Sequence, residues 1–367
     1  MNFGLFCLMP QRDIRKSAGT IANEAIEQTK LAEALGFETV WFAEHHFSNY
    51  SMIPSPLMMC AFCAGKTEKI KVGTGVVVLP LYEPVRVIEE IAFVDQVSNG
   101  RLQLGLGSGY QDYEFKHFGR NLADCHAVTL EMLDLIEMAF TRGSIEYKGK
   151  HFNIPLTAIG LHPRQTPLPP IYIAGLAQDM QVQERIARSG YVPFLAQHQR
   201  PAAALVETKR KLAGLWKGAG RDSDNMPFAT QRVIFVTKNK DEAREAAEHM
   251  LYTLRLALGL RFNTAQLDGA LLREIPVANE PTLDQILEHA PMGSPERVAA
   301  ALAEDIRTLN PSHLSLMFQY GGMPQAQAMK SLELFGSEVL PILQREFGDL
   351  SKINAKPVAQ KPMVATA

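Results

Sequence analysis

The sequence predicts an α/β fold, a closed (β/α)8 TIM barrel with insertions after the fourth and seventh helical units. Eight short apolar runs alternate with amphipathic stretches along the 367 residues. This alternation favours parallel strands joined by right-handed helical crossovers. The runs are apolar on both faces, as expected of strands that are buried on both sides. Eight such units fit a closed barrel, which uses roughly 250 residues or more, better than an open doubly wound sheet.

In the first half of the chain, glycine and proline mark the ends of the predicted elements. Residues 70–79 are rich in β-branched side chains, which are typical of a strand, and they stop at Pro80. Pro84 fits the first turn of the helix that follows, and Asn99 and Gly100 end that helix. The predicted order is strand 3–8, helix 21–35, strand 39–43, helix 56–65, strand 70–79, helix 85–98, strand 102–106 and helix 122–140.

The second half repeats this order less regularly. Its predicted strands are 171–174, 192–196, 232–236 and 314–318, and its predicted helices are 180–188, 201–216, 241–258, 295–309 and 325–347. Residues 143–170, which contain five prolines, and residues 261–292 interrupt the repeat, and we expect long insertions of this kind to be functional loops or lids. We therefore expect one barrel domain over residues 1–350, followed by a disordered tail at 351–367, which is polar and lacks periodicity.

Composition excludes several classes of protein. The 37 Lys+Arg and 39 Asp+Glu give a net charge of −2, which provides no electrostatic footprint for nucleic acid or a membrane surface. No apolar run reaches the roughly 18 residues of a membrane span, and the first residues lack the basic leader of a signal peptide. Four cysteines in so long a chain do not form a disulfide framework. We expect a cytoplasmic globular protein.

The sharpest group of polar residues is Glu44-His45-His46, which follows the second predicted strand. The two-residue period of a strand points Glu44 and His46 to one side and His45 to the other. Histidine can shuttle a proton near neutral pH, and a carboxylate can orient its ring. The residues alone leave open whether either histidine acts in this way or is simply packed. No metal site is predicted, because adjacent histidines rarely chelate one ion together.

Two glycine-containing turns also lie at predicted strand ends. The run 105–110 includes Gly107 and Ser108, but Tyr110 occupies the sixth position of the would-be GxGxxG motif, so we reject a dinucleotide fold. Its glycines either let a flat ring approach the backbone or form a tight turn. Residues 174–179 form either a phosphate seat at a helix N-terminus or an ordinary turn. His198, at another predicted strand end, remains a weaker functional candidate.

Several segments, taken in order, make the sequence resemble the bacterial-luciferase-like flavin-dependent monooxygenases. The matching segments span residues 1–347 and are 36–47, 72–80, 95–102, 105–110, 118–119, 170–172, 293–296, 330–335 and 339–341. Each segment is short, and their order along the chain is what makes the resemblance specific. The reactive cysteine of luciferase and its adjacent phosphate-binding arginine correspond here to Gly107 and Ser108. The resemblance therefore does not extend to light emission from long-chain aldehydes.

The resemblance implies a barrel that binds reduced FMN at the C-terminal ends of its strands. In the family this flavin reacts with O2 to give a C4a-peroxyflavin, which oxygenates a small, largely apolar organic substrate. By similarity, His45 exchanges a proton beside the flavin, with Glu44 next to it. Gly75 and Val76 match a non-prolyl cis peptide under the flavin ring. The remaining cofactor-binding positions that the resemblance implies are Gly107, Ser108, Tyr110, Gly175, Leu176, Ala177 and Gln178.

The partners implied are a separate flavin reductase that supplies FMNH2, the substrate, O2 and a second copy of the chain in a homodimer. Two alternatives remain. A hydride-transfer enzyme that uses the deazaflavin F420 would need cationic groups for the anionic side chain of that cofactor, and the predicted barrel mouth shows few. A non-catalytic flavin-binding protein is the other alternative, and the retained Glu44-His45-His46 group argues against it.

Overall fold

The computed structural model describes residues 1–174 and 179–354. Its first half contains β1 (Asn2–Cys7), α1 (Ala18–Ala34), β2 (Thr39–Phe42), α2 (Pro56–Ala64), β3 (Lys71–Thr74), β4 (Val77–Val78), α3 (Pro84–Val97), β5 (Leu102–Gly107), α4 (Asp112–His117) and α5 (Cys125–Arg142). The middle of the chain contains β6 (Ser144–Lys148), β7 (Asn153–Ala158), β8 (Ile171–Ala174), α6 (Met180–Ser189), β9 (Val192–His198), α7 (Ala203–Gly218), β10 (Ala229–Val233), β11 (Phe235–Val236) and α8 (Lys240–Arg261). The last part contains β12 (Leu267–Asp268), β13 (Leu271–Leu272), α9 (Leu283–His289), β14 (Met292–Gly293), α10 (Pro295–Leu309), β15 (His313–Met317), α11 (Gln325–Leu334) and α12 (Leu340–Phe347).

Eight parallel strands close into a barrel, and the predicted fold class is therefore confirmed. Neighbouring strands follow the order β1, β2, β3, β5, β8, β9, β10 and β15, and β15 pairs with β1 to complete the ring. β4 continues the path of β3 and pairs with β5. Helices connect successive barrel strands and cover the outer face of the ring, where most of the apolar core lies. None of the described helices has the length and apolar character of a membrane span.

Three predicted elements are divided in the structure. The strand predicted at 70–79 is divided into β3 and β4 by a cis peptide bond between Gly75 and Val76. The strand predicted at 232–236 begins earlier as β10, and the apolar residues of β11 pair instead with β14. The helix predicted at 325–347 contains a π-helical turn at Phe335–Val339, next to Pro341, which has no backbone N–H to continue the α-helical pattern.

The two insertions are less irregular than predicted. The first, residues 143–170, contains the antiparallel hairpin of β6 and β7. The second, residues 261–292, contains the small hairpin of β12 and β13 and the helix α9. A helix was also not expected at residues 111–118, where α4 forms with two acidic residues in its first turn, the position that the helix dipole favours. Of the tail predicted at 351–367, residues 355–367 lie outside the described part of the chain.

A layer of aromatic rings fills the half of the barrel interior that lies towards the N-terminal ends of the strands, which we call the lower half. Trp41, Tyr172, Phe194 and His313 lie with their ring centroids 4.9 to 6.3 Å apart and pack edge to face. The indole Nε1 of Trp41 donates a hydrogen bond of 2.8 Å to Nε2 of His313. Trp41 and His313 are almost completely buried. This layer closes the lower end of the barrel, and any ligand must therefore be held above it, towards the C-terminal ends of the strands.

Candidate active site

Several backbone positions are exposed at the C-terminal ends of the barrel strands, the mouth of the barrel. Positions that a packed barrel core would bury are partly exposed there, and they carry small side chains or none: Gly75 and Val76 after β3, Ala174 at the end of β8 and Ala196 in β9. Phe6 in β1 is also partly exposed, and its ring lies 3.0 Å from the point where a Cβ on Gly75 would stand. These positions form a wall of bare backbone beside an aromatic ring, a surface suited to a flat, largely apolar ligand.

Gly107 and Gly105 in β5 leave room for this wall. A Cβ on Gly107 would lie 2.7 Å from Cγ2 of Val76, and one on Gly105 would lie 1.9 Å from the carbonyl oxygen of Thr74. The structure therefore brings Gly75, Val76 and Gly107 together, as three of the predicted cofactor-binding positions. Ser108, the next residue, is buried. Gly175, Leu176, Ala177 and Gln178, the predicted phosphate loop, lie outside the described residues.

His45 stands at this mouth, with one ring nitrogen held by polar neighbours. Its Nδ1 lies 3.1 Å from Oε1 of Glu114 and 3.0 Å from the amide nitrogen of Gln111. Its ring packs edge to face against Tyr50 at 4.7 Å. Of these two neighbours only the carboxylate can accept a proton from Nδ1, since the amide nitrogen is a donor, and the charged partner favours a proton on Nδ1, which leaves the lone pair on Nε2. Among the described residues no hydrogen bond involves Nε2 of His45, so this nitrogen is available to a ligand.

Glu114 is a site residue that the sequence did not predict. It lies in α4, is 2% exposed, and its Oε1 also accepts a hydrogen bond of 2.8 Å from the backbone N–H of His46. One carboxylate oxygen thus fixes both the ring of His45 and the backbone that carries it. A pattern that could have pointed to it is the pair of acidic residues directly after the glycine run at 105–110, which is typical of the first turn of a helix.

Glu44 contacts His46 rather than His45. Its Oε1 lies 2.9 Å from Nε2 of His46, and its Oε2 accepts hydrogen bonds of 3.0 Å from the N–H of Val78 and from the hydroxyl of Tyr82. The side chain is fully buried, and this burial raises the pKa of Glu44, against the opposing effect of its hydrogen-bond donors. Glu44 therefore ties the segment after β2 to β4, and the structure does not place it against the ring of His45.

Tyr110 connects the glycine run to the His45 group. Its hydroxyl accepts a hydrogen bond of 3.2 Å from the amide of Gln111, and its ring centroid lies 6.0 Å from that of His45. Burial raises the pKa of Tyr110, so its hydroxyl stays protonated at neutral pH and can donate a hydrogen bond. Tyr50 and Tyr110 thus form an aromatic wall around His45.

The second insertion is attached to the loop that carries His45. Asn49, four residues after His45, accepts a hydrogen bond of 2.8 Å from the N–H of Leu272 through its Oδ1. Its own N–H donates to the carbonyl oxygen of Ala270 at 3.0 Å. Its side-chain amide donates to the carbonyl oxygen of Gln11 at 2.8 Å. The small hairpin of β12 and β13 is therefore fixed to the loops that follow β1 and β2, beside the candidate site.

Two arginines at the mouth were not predicted as site residues. The guanidinium of Arg261, at the end of α8, lies 5.0 Å above the ring of Tyr110. Arg200, just after β9, donates hydrogen bonds of 2.6 and 3.3 Å to the carbonyl oxygens of Ala196 and Gln197. Burial, Arg200 and Arg261 together lower the pKa of His198 to about 4, so its imidazole is neutral at neutral pH. The mouth is therefore more cationic than the sequence predicted.

Comparison with known proteins places this chain in a family. The model of the luciferase-like monooxygenase family matches residues 1–312. An uncharacterized protein, y4vJ of Sinorhizobium fredii (strain NBRC 101917 / NGR234), is 36% identical over 354 residues, which cover 95% of this chain and 99% of that protein. The alkanal monooxygenase alpha chain of Photorhabdus laumondii is 25% identical over 362 residues, covering 94% of this chain and 99% of that one.

Solved structures share the fold. Monooxygenase RslO1 of Streptomyces bottropensis has a TM-score of 0.79 at 22% identity, covering 93% of this chain and 99% of that chain. The oxygenating constituent of 3,6-diketocamphane monooxygenase of Pseudomonas putida, in complex with FMN, has a TM-score of 0.73 at 20% identity and covers 93% and 98% of the two chains. The coenzyme F420-dependent tetrahydromethanopterin reductase of Methanopyrus kandleri has a TM-score of 0.70 at 20% identity and covers 93% and 99%. The barrel thus occurs with both cofactors.

Proposed function

The chain belongs to the luciferase-like monooxygenase family, and we propose that it uses reduced FMN and O2 to oxygenate a small, largely apolar organic substrate. The observation that carries this proposal is the bare backbone wall at Gly75, Val76 and Gly107 on the same barrel mouth as His45. Such a wall suits the planar isoalloxazine ring of a flavin, which is held by shape and backbone contacts rather than by many charged groups.

The residues of this chain have distinct roles in the proposed reaction. Gly75, Val76 and Gly107 would lie against the ring, and Phe6 and Tyr110 would shield it from water. His45 would hold or accept a proton at Nε2, because Glu114 occupies Nδ1. When bound, reduced flavin supplies the two electrons that place one oxygen atom of O2 in the substrate and the other in water.

A separate reductase would supply the reduced flavin. The glycine run at 105–110, the one segment that suggested a dinucleotide fingerprint, is part of barrel strand β5 and the turn after it. Two relatives support a division of labour by their names, as an oxygenating constituent and as the oxygenase component of a flavin-dependent trigonelline monooxygenase. We therefore infer a two-component system in which this chain is the oxygenase.

A homodimer is the assembly that we propose. The neighbouring helices α2 and α3 carry four exposed apolar side chains, two on each helix at a spacing of four residues: Met58, Phe62, Phe93 and Val97. Large exposed apolar patches commonly mark contact surfaces between chains. Light scattering of the wild-type chain should give twice the monomer mass, and the double substitution Met58→Glu/Phe93→Glu should give a folded monomer. Leu156→Glu, which changes an equally exposed residue in β7, is the matched control.

A hydride-transfer enzyme that uses F420 is the second candidate. The observation that favours it is the pair Arg200 and Arg261 at the mouth, since F420 carries an anionic side chain. The fold is also shared with an F420-dependent reductase.

One experiment separates these candidates. The protein is mixed anaerobically with photoreduced FMN or with reduced F420, binding is measured by equilibrium dialysis, and the mixture is then exposed to air enriched in oxygen-18 with a panel of organic substrates. Binding of reduced FMN and transfer of one labelled oxygen to a product support the monooxygenase. Substrate reduction by F420H2 without FMNH2 binding supports the second candidate. FMNH2 binding without any product indicates a non-catalytic flavin-binding protein.

The variant His45→Ala tests the role of the imidazole in the same assay. We expect product formation to fall by about 10²- to 10⁴-fold, the usual contribution of a positioned general acid or base, with little change in FMNH2 affinity. His46→Ala is a control on the neighbouring residue, whose ring faces Glu44 instead. A His45→Ala variant that formed product at the wild-type rate would show that the assigned role is wrong.

A further inference from the structure

Gln231 in β10 and Ser315 in β15 are polar residues inside the apolar barrel. Gln231 is 2% exposed and Ser315 is completely buried. Both polar atoms of the Gln231 amide and the hydroxyl oxygen of Ser315 lack a hydrogen-bond partner among the residues that the structure describes. The two residues are neighbours in the register of β10 and β15, yet they do not bond to each other. Folded proteins leave few buried polar groups without a partner, and each one needs an explanation.

Both side chains point into the barrel. Successive side chains of a strand point to opposite faces, so residues two apart share a face. Ala229, two residues before Gln231, packs against the aromatic layer inside the barrel. His313, two residues before Ser315, belongs to that layer. Gln231 and Ser315 therefore lie one layer of side chains above the aromatic layer, towards the mouth.

Open space adjoins Gln231 on the side of β9. Ala196 is its register neighbour in that strand. Ala196 also points inward, two residues after Phe194 of the aromatic layer, and it is nevertheless exposed. An inward-facing side chain is exposed only where the barrel interior is open. A ligand beside Ala196 would therefore meet the side chain of Gln231, whose three rotatable bonds let the amide turn towards it.

The polar pair faces the proposed flavin wall across the barrel. Four steps around the ring of strands lead from β10 to β3 in either direction, and the same holds for β15 and β5. Gly75 follows β3, and Gly107 ends β5. A flavin ring that lies flat on this wall would turn its free face towards Gln231 and Ser315. The substrate would then lie between the flavin and the polar pair.

We propose that Gln231, assisted by Ser315, recognises an amide edge, in which an N–H and a C=O stand side by side. The carboxamide of glutamine offers N–H donors and a C=O acceptor in one plane and can pair with such an edge through two hydrogen bonds. Two sources supply this chemistry, a carboxamide or lactam in the substrate and the pyrimidine part of the flavin ring. The position opposite the wall favours the substrate. The inference rests on the proposed function and deepens it, because it names a polar group of the largely apolar substrate.

Three small probes of similar shape test this recognition. Benzamide carries both the N–H and the C=O, acetophenone carries only the C=O, and isopropylbenzene carries neither. Their affinities are measured anaerobically by calorimetry, with and without reduced FMN, for the wild-type chain, Gln231→Met and Ser315→Ala. Reduced riboflavin and its N3-methyl derivative, which lacks the N–H, test the flavin as the source. The matched control is Gln103→Met, which changes a buried glutamine in β5 whose amide donates to the carbonyl oxygen of Leu102 at 3.3 Å.

The wild-type chain should bind benzamide at least about tenfold more tightly than acetophenone, and isopropylbenzene most weakly. Gln231→Met should lose this preference, Ser315→Ala should weaken it, and Gln103→Met should keep it. If the edge belongs to the flavin, Gln231→Met weakens the binding of reduced riboflavin but not of its N3-methyl derivative. The proposal is overturned if Gln231→Met keeps every preference of the wild-type chain, or if the wild-type chain has none. A chain that prefers benzamide but binds neither flavin would contradict the proposed function and leave the role of Gln231 supported.

The stability of the ligand-free chain is a second readout, which does not depend on flavin. Because no described residue bonds to the amide of Gln231, Gln231→Met should unfold at the same urea concentration as the wild-type chain or at a higher one. Gln103→Met should unfold at a lower concentration, since it loses a hydrogen bond to the backbone. If Gln231→Met lost as much stability as Gln103→Met, the amide would have a structural role and the proposal would be wrong.

Discussion

The carboxylate of Glu114 and the imidazole of His45 meet at 3.1 Å between Oε1 and Nδ1, although the two residues are 69 positions apart in the chain. The same oxygen accepts the backbone N–H of His46. The proton on His45 and the direction of its ring therefore depend on a residue from a different strand–helix unit of the barrel. Two variants can separate charge from hydrogen bonding at this contact.

Glu114→Gln keeps an oxygen that can accept the N–H of His46 but removes the negative charge beside His45. We expect its stability in urea to stay within about 1 kcal/mol of wild type, whereas product formation with FMNH2 falls about tenfold or more with little change in KM. Glu114→Ala, which removes both contacts, should lose activity and stability together. A Glu114→Gln variant that formed product at the wild-type rate would contradict a role for the charge.

Glu44 is predicted to act mainly on stability. It is fully buried and accepts hydrogen bonds from Val78 and Tyr82 while facing Nε2 of His46. Glu44→Ala leaves these groups without an acceptor, and we expect a loss of about 3 kcal/mol or more in the free energy of unfolding, measured in urea. Glu44→Gln should lose less, because one acceptor oxygen remains. In both variants the fraction that is folded should bind FMNH2 as wild type does.

Gly107 and Gly105 provide a matched pair in one strand. A Cβ on Gly105 would overlap the backbone oxygen of Thr74, and we expect Gly105→Ala to abolish folding, seen as insoluble protein. A Cβ on Gly107 meets the movable side chain of Val76 instead. Gly107→Ala should fold, and its affinity for reduced FMN should drop about tenfold because the methyl group and the displaced Val76 cover the wall. A soluble Gly107→Ala variant with wild-type FMNH2 affinity would place the flavin elsewhere.

His313 should make the fold sensitive to acid. Burial lowers the pKa of His313 to about 4, whereas in the unfolded chain it is near 6.5. Between these values the unfolded chain binds the extra proton, so the stability that neutral His313 contributes is complete above about pH 6.5 and is lost as the pH falls towards 4. The loss amounts to roughly 3 kcal/mol over that range.

The variant His313→Gln tests this prediction, since its amide oxygen can still accept the N–H of Trp41 but does not titrate. Urea unfolding at about pH 7 and about pH 5 should show a smaller loss of stability for the variant than for wild type. An identical loss in both proteins would assign the acid sensitivity to other groups.

The barrel could be predicted because its evidence is local. Each buried strand carries its own apolar run, and glycine or proline marks many of the ends. The predicted limits of a strand were wrong where one apolar run forms strands in two different sheets. Residues 229–236, for example, form β10 and then β11. The hairpins in both insertions were missed because their strands are short and form through pairing with each other.

The site was predictable only in part, because most of its contacts join residues that are far apart in the sequence. His45 stands out because it follows a strand directly, next to two other polar residues. The two-residue period of a strand predicted that Glu44 and His46 point to one side and His45 to the other, and in the structure Glu44 contacts His46. Glu114, Arg200 and Arg261 reach the mouth from other units of the fold, and no spacing in the sequence relates them to His45. The assignment of Gly75, Val76 and Gly107 to cofactor binding came from family resemblance rather than from spacing.

The aromatic layer around Trp41 and His313 has a consequence for the order of events in a catalytic cycle. Because this layer closes the N-terminal end of the barrel, oxidised cofactor, product and the next substrate would all pass through the one opening at the C-terminal ends of the strands. Binding must then be ordered, because the product or oxidised cofactor has to dissociate before the next ligand can bind. Excess oxidised flavin should therefore slow turnover, as a competitive inhibitor with respect to reduced flavin.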